Sequence, residues 1–395
     1  MKITDVKTFV VGNPPPGFGG RYFIFLKLTT DSSVVGYGEV YVATFGPHVV
    51  ARMIEDVCER FVIGSDPFKI ETLWRRMYGS GYAQRPDISL VGVMSGIEMA
   101  CWDIVGKEVD KPVYELLGGQ VHEGLRSYTY LYPEDGDGAN VYTDPETAAE
   151  RAAAYVKKGF SAVKFDPVSD YSVFDGRQPS LEALERSERY VKLVREAVGT
   201  DADLLFGTHG QFTASGALRL ARRLEAYDPL WFEEPTPPEM PEEMAKVAQG
   251  TSIPVATGER LATKYEFARV LETGAASILQ MNLGRVGGLL EAKKIAAMAE
   301  AHYAQIAPHL YCGPIVGAAN AQLAACTPNF LILESILEWD GFHSEILTKP
   351  MEWQDGYVIP PTAPGLGVEL NEAVAEANPY TGDELHLSPA NDPIQ

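Results

Sequence analysis

The sequence predicts an eight-stranded (β/α)8 barrel preceded by a smaller α+β unit, and three observations predict it. From about Leu125 onward, short apolar runs that end in polar or charged residues alternate with amphipathic helical stretches. Eight such runs occur, and eight strands over roughly 210 residues is the size of a closed parallel barrel. The first 120 residues follow another rhythm, strand-like alternation first and helical periodicity afterwards.

Lys2 to Gly12 and Tyr22 to Val40 alternate with a period near two and turn at Asp31-Ser32-Ser33, the pattern of a short antiparallel sheet. Val49 to Phe61, Pro67 to Tyr78 and Leu90 to Lys107 carry apolar residues at helical spacing, and Gly118-Gly119 closes the segment. The barrel runs are Leu125 to Tyr132, Ala162 to Asp166, Leu204 to His209 and Leu230 to Pro235, then Pro254 to Glu259, Ser277 to Asn282, Gln305 to His309 and Phe330 to Glu334. Helical patterns between them include Ala148 to Lys158, Leu181 to Val198, Ala214 to Tyr227, Met240 to Ala248, Lys264 to Thr273 and Leu289 to Tyr303. A doubly wound open sheet is disfavoured, because no glycine-rich dinucleotide fingerprint follows the first strand and polar groups end nearly every strand. The expected division is 1–120, 121–335 for the barrel, and a Pro- and Gly-rich tail, 336–395, that returns to the N-terminal unit.

Composition narrows the partners. With 33 basic and 54 acidic residues the formal charge is -21, which repels phosphate backbones and anionic membranes, so neither nucleic acid nor a membrane is an expected partner. The same field repels an anionic substrate, so an acid must be drawn in by a metal or a few fixed cations. Cys58, Cys101, Cys312 and Cys326 are scattered in apolar contexts and read as reduced core thiols. The start of the chain enters a strand pattern directly, and the expected location is cytoplasmic.

In such a barrel the C-terminal strand ends converge on one mouth. Read off the runs, they bring together Lys164, Asp166, His209, Glu233, Glu234, Glu259, Asn282, His309 and Glu334. Each has a plainer role: a single Glu caps a helix or forms an ion pair, and a single His is usually a satisfied core residue. Together, WFEEP and ATGE place carboxylates at corresponding points of adjacent strands, where two anions are costly unless a cation separates them. Oxygen ligands favour Mg2+ over zinc. Lys164 and His309, on opposite sides of the ring, suit proton transfer next to a carboxylate.

The ordered series KFD, EEP, TGE, LQMN, APH and ILES, with GIEMACWDIVGK and ELLGG before it, resembles the enolase superfamily and within it the mandelate racemase subgroup. The resemblance spans nearly the whole chain. It implies that the N-terminal sheet and helices with the tail form a capping domain, whose loops NPPPGFGGRY and VYVATFGPH cover the barrel mouth. It further implies Glu233 and Glu259 as ligands of Mg2+ (or Mn2+), His309 as the acid/base of the seventh strand, Glu334 as a hydrogen-bonding partner of the substrate carboxylate or enediolate, and a homo-oligomer.

The family pattern is broken at three places. Gly207 stands where an aspartate ligand is expected, strand two ends Lys164-Phe165-Asp166 in place of Lys-x-Lys, and Asn282 replaces the aspartate that pairs with the seventh-strand histidine. The expectation drawn from this is a metal set of Asp166, Glu233 and Glu259, with Asn282 still orienting His309. His209 matches the histidine that protonates the C3 leaving group in acid-sugar dehydratases of the subgroup. NPPPGFGGRYF, KFDP, GTHGQF and NLGRVGG are most similar to cycloisomerases of 3,6-anhydro-L-galactonate, which implies ring opening by β-elimination to 2-keto-3-deoxy-L-galactonate. Arg21, Tyr41, Asn282 and Tyr311 are the candidate substrate contacts. A galactonate-type dehydratase is the alternative, followed by a racemase or epimerase and by a non-catalytic acid-sugar-binding protein.

Overall fold

Three antiparallel strands, β1 (Ile3–Gly12), β2 (Tyr22–Thr30) and β3 (Val35–Val40), open the chain in the order β1-β2-β3. The structure is a computed structural model and describes residues 1–168 and 176–386. Helices α1 (Pro47–Val57), α2 (Ile70–Tyr78), α3 (Ile88–Glu108) and the short α4 (Val113–Leu116) follow. Asp87 starts α3 by accepting from the backbone N–H groups of Ser89 and Leu90, which satisfies two of the donors a helix start leaves orphaned. By length and composition α3 could cross a membrane, yet it is mostly buried here, between the sheet and its neighbours. Close approach is what glycine on β3 allows: a Cβ on Gly38 would lie 1.9 Å from the Gly96 carbonyl of α3.

Eight parallel strands then close a ring. In order they are β4 (Leu125–Tyr130), β5 (Ala162–Phe165), β6 (Asp203–Gly207), β7 (Trp231–Glu233), β8 (Val255–Thr257), β9 (Ile278–Leu279), β10 (Gln305–Ile306) and β11 (Leu333–Ser335). Neighbours pair in sequence from β4 to β10, β11 returns to β4, and a bridge between Ile306 and Phe330 joins the last pair. Outside the ring lie α5 (Pro145–Lys158), α6 (Leu181–Val198), α7 (Ala214–Leu224), α8 (Pro241–Gly250), α9 (Thr263–Thr273), α10 (Leu289–Ala301) and α11 (Pro314–Ala325). The last of these has no counterpart among the helices expected from periodicity. Its twelve residues are all buried, Asn320 and Gln322 included, so it has no solvent-facing side and carries no stripe to read.

The tail does two things. After α12 (Phe342–Glu345), the hairpin β12 (Glu352–Gln354) and β13 (Tyr357–Ile359) adds to the barrel, Val358 and Tyr357 pairing with Leu125 and Arg126 of β4. The tail also meets the first sheet, where Phe342 and His343 of α12 lie against Phe23 of β2 with centroids 6.4 and 5.2 Å apart. Glu372, at the start of α13 (Glu372–Ala377), takes Lys27 Nζ and the Tyr37 hydroxyl, and Pro379 bridges Val11. The tail thus meets the N-terminal unit on both sides of the hairpin, as expected, and 387–395 lie outside the described residues. The four cysteines are buried and free.

Candidate active site

The ends of β5 to β8 set the floor of the mouth. Strand register puts Lys164 beside Leu205 and Gly207 beside Glu233. Asp166 follows Phe165 at the same level, and it occupies the room that a side chain at 207 would need: a Cβ there would sit 2.8 Å from Asp166 Oδ1. Glycine on one strand therefore makes space for a carboxylate from the next. Lys164 Nζ lies 2.7 Å from Glu233 Oε1 and 3.5 Å from Glu334 Oε1, all three groups buried. Burial alone would lower the lysine, but the charges of Glu233 and Glu334 outweigh it and hold it well above the ordinary range. Glu233 Oε2 accepts from Gln280 Nε2 at 2.6 Å and from Trp231 Nε1 at 3.1 Å, which fixes the carboxylate from below. The adjacent Glu234 turns elsewhere and pairs with Arg260 at 2.7 Å.

His209 is held by its backbone. Its φ of +50° lies in the left-handed region, uncommon for residues other than glycine though histidine, asparagine and aspartate adopt it more readily than most. The Thr208 hydroxyl bonds to the carbonyls of Glu233 and Glu234, and Gly210 N–H donates to Glu234 O, so the turn is pinned to β7 on both sides. Nδ1 of His209 stands 3.2 Å from Asp166 Oδ2. Burial would lower this histidine, but the aspartate charge wins and raises it to about 10.

Across the ring the second histidine has a different neighbour. Asn282 Oδ1 accepts from Gly284 N–H at 2.8 Å, which leaves its Nδ2 to donate to His309 Nδ1 at 3.0 Å. A neutral His309 then carries its hydrogen on Nε2, 3.3 Å from Glu259 Oε2 and 4.0 Å from Glu334 Oε2. Burial holds this imidazole down at about 4. Glu334 Oε2 accepts from Leu310 N–H at 2.8 Å, and burial raises its carboxyl above the usual range.

These groups open into one cavity of about 360 Å³ whose lining includes Lys164, Asp166, His209, Glu259, His309 and Glu334. The remaining wall is mostly phenolic, with Tyr41 just after β3, Tyr130, Tyr132 and Tyr142 from β4 and the loop after it, and Tyr311, and it is completed by Asn140, Thr143 and Val168. Phe18 of the first loop stacks on Tyr132 with centroids 4.3 Å apart, so the N-terminal unit roofs the mouth.

Two models of known families match the chain. The enolase C-terminal domain-like model covers residues 147–374, and the mandelate racemase / muconate lactonizing enzyme N-terminal domain covers 18–118. The chain belongs to the mandelate racemase subgroup of the enolase superfamily. A solved structure of a Labrenzia alexandrii protein, from the mandelate racemase/muconate lactonizing enzyme group, is 69% identical, with a TM-score of 0.97 over 100% of this chain and 99% of that one. Among characterised relatives, the D-xylonate dehydratase of Haloferax volcanii is 35% identical over 97% of this chain and 90% of its own length. The D-galactonate dehydratase of Ralstonia pickettii is likewise 35% identical, covering 95% and 93%.

The donor chemistry of this enolase-superfamily site suits a hard divalent cation. Asp166, Glu233 and Glu259 offer only oxygens, and Asp166 Oδ1 and Glu259 Oε2 are buried without a hydrogen-bond partner. Among the described residues, however, no three donors are drawn into a coordination cluster. Each carboxylate faces a nitrogen group of its own instead: Asp166 faces the His209 imidazolium, Glu233 the Lys164 ammonium, and Glu259 the neutral His309 ring.

Two expected substrate contacts lie elsewhere. Arg21 is exposed, pairs with Glu384 and lines a separate groove with the Pro14-Pro15-Pro16 turn. A polar loop residue has two sides to choose from, and the tail's Glu384 took this one. Asn282 is fully buried behind His309 and does not line the cavity. Tyr130, Tyr132 and Tyr142 line the cavity without having been among the expected residues; three tyrosines within thirteen residues of one strand and its loop were the available signal.

Proposed function

We propose that this enolase-superfamily enzyme is a hydro-lyase that removes water from a sugar acid by β-elimination, as its dehydratase relatives do by name. The observation that carries this reading is the convergence of Lys164, His309 and His209 on one cavity floored by carboxylates. Lys164 and His309 form the proton-transfer pair at C2, and the Nε2 hydrogen of His309 is presented beside Glu259 and Glu334. Glu334 takes the substrate carboxylate as a hydrogen-bond partner. His209, backed by Asp166, gives a proton to the oxygen leaving C3. One member of the Lys164–His309 pair, in its unprotonated form, takes the proton as the C2–H bond breaks, the C3 oxygen leaves as water with the proton from His209, and the C2–C3 enol tautomerises to a 2-keto-3-deoxy acid.

Asp166, Glu233 and Glu259 would hold Mg2+ or Mn2+. Such a cation supplies positive charge for the substrate oxygens as negative charge grows on them. The phenolic wall favours a second reading, ring opening of 3,6-anhydro-L-galactonate, because a cyclic ether tolerates such walls better than an open polyol does. Incubation with D-galactonate, D-xylonate and 3,6-anhydro-L-galactonate, with and without Mg2+, separates the two through the semicarbazone of the keto acid. Turnover of an open-chain acid supports the hydro-lyase; turnover of the anhydro acid alone replaces it with the cycloisomerase; keto acid from none of the three sinks both.

A further inference from the structure

The segment Asn282 to Gly288 was singled out in the sequence as NLGRVGG, and it is where the N-terminal unit lands on the barrel. Trp74 Nε1 donates to Gly287 O, the Ser95 hydroxyl accepts from Gly287 N–H, and Glu98 accepts from Leu289 and Leu290 at the start of α10. Tyr41 completes this contact through its N–H, which donates to Gly284 O at 3.0 Å. Gly284 must be glycine for the approach, since a Cβ there would come within 2.9 Å of Tyr41 Cβ.

Arg285 lies inside this contact, 7% exposed. Its Nε donates to Tyr41 O at 3.3 Å, one terminal nitrogen donates to Glu259 O at 3.1 Å, and the guanidinium sits 4.1 Å from the centre of the Tyr41 ring. None of the ion pairs among the described residues includes it, whereas Arg151, the other arginine buried to this degree, pairs with Glu134 and Asp137. A buried cation met only by carbonyls and a π face keeps most of its field, because neither neutralises a full charge. That field falls on the cavity side, where Tyr41 and Glu259 both form part of the lining.

We propose that Arg285 is a positioning residue of the active site: its guanidinium locks the cap-borne Tyr41 to the backbone of Glu259, and its unneutralised charge favours an anionic substrate in the cavity between them. The clause on the anion rests on the sugar-acid reading; the locking does not. In a chain of net charge -21, Arg285 is one of the fixed cations that an acid needs in order to enter.

The test compares Arg285→Met, which loses charge and fork, with Arg285→Lys, which keeps the charge. Hydrogen exchange in the segment around Tyr41 should quicken in Arg285→Met, and calorimetric Kd for D-galactonate should rise about tenfold or more, the scale of a desolvated cation's contribution. Arg285→Lys should recover part of the affinity, and in a Tyr41→Leu background, which removes the ring, Arg285→Met should cost less than it does alone. A merely structural arginine would lower the melting temperature equally in Lys and Met variants and leave KM untouched while kcat fell. Unchanged exchange at Tyr41 in a folded Arg285→Met protein overturns the proposal, and if that variant does not fold, the same reading in Arg285→Lys decides. Absence of keto-acid formation by the wild type would remove the hydro-lyase reading while leaving the exchange result standing.

Discussion

His209 and His309 line one cavity, and they differ in what stands behind the ring. His209 rises from a left-handed turn after β6 and faces the Asp166 carboxylate, whereas His309 follows β10 and faces the Asn282 amide. The first is raised to about 10 and the second held at about 4, so at neutral pH one is an imidazolium and the other a neutral ring. Burial pushes both the same way; the neighbour decides. Relative to the family pattern, the carboxylate partner has in effect changed sides of the barrel, and with it the charge.

The largest expected effect tests whether the two sides do different jobs. Lys164→Ala should lower kcat for keto-acid release by about 10²–10⁴-fold, the usual worth of a positioned acid or base. His209→Asn should lower it by about 10²-fold or more while solvent deuterium still enters at C2, because only departure of the C3 oxygen is lost. If His209→Asn stopped deuterium entry as completely as Lys164→Ala, the division of labour would be wrong. Next in size comes the space on β6. Gly207→Ala puts a Cβ against Asp166 Oδ1 and should cost about 1–3 kcal/mol of stability, as overpacking does. It should also weaken Mg2+ binding in a titration, and Asp166→Ala should do so more; unchanged Mg2+ affinity in Asp166→Ala would exclude that residue as a ligand.

The comparison sharpens further with Asn282→Asp. A carboxylate behind His309 should bring its ring from about 4 back towards the ordinary value near 6.5, followed by NMR of the ring protons. A titration that stays where it was would mean that burial, not the partner, sets this histidine.

How far such a site can be read from sequence depends on what carries each signal. Strand ends of a barrel converge by construction, so Lys164, Glu233, Glu259, His309 and Glu334 could be brought to one mouth from their order alone. The helix Pro314–Ala325 could not be read, because residues buried on all sides leave no period. Arg285 and Tyr41 are 244 positions apart, and nothing local in either segment says that one ring lies on the other's guanidinium. Arg21 failed in the opposite sense: its loop was placed at the mouth, but the direction of the side chain was set by Glu384, more than 300 residues away. Local chemistry was legible, long-range pairing was not.

The smallest expected effect concerns two further histidines, which tie the tail to the loop bearing Tyr311. His343 Nε2 bonds to Cys312 O at 3.2 Å and His386 Nε2 to Tyr311 O at 2.9 Å, and burial holds both rings down at about 4. A group depressed in the folded state contributes stability that is fully present above its unfolded pKa, near 6.5, and is lost as pH falls towards 4. One pH unit below 6.5, each ring should therefore cost about 1 kcal/mol, because the unfolded chain takes up protons that the fold refuses. His343→Gln keeps a donor for the Cys312 carbonyl but cannot titrate, so its melting temperature should fall less between pH 7 and about 5.5 than that of the wild type. An equal fall in both proteins would place the acid sensitivity elsewhere, and the same substitution at His386 would then show whether the tail contributes to it at all.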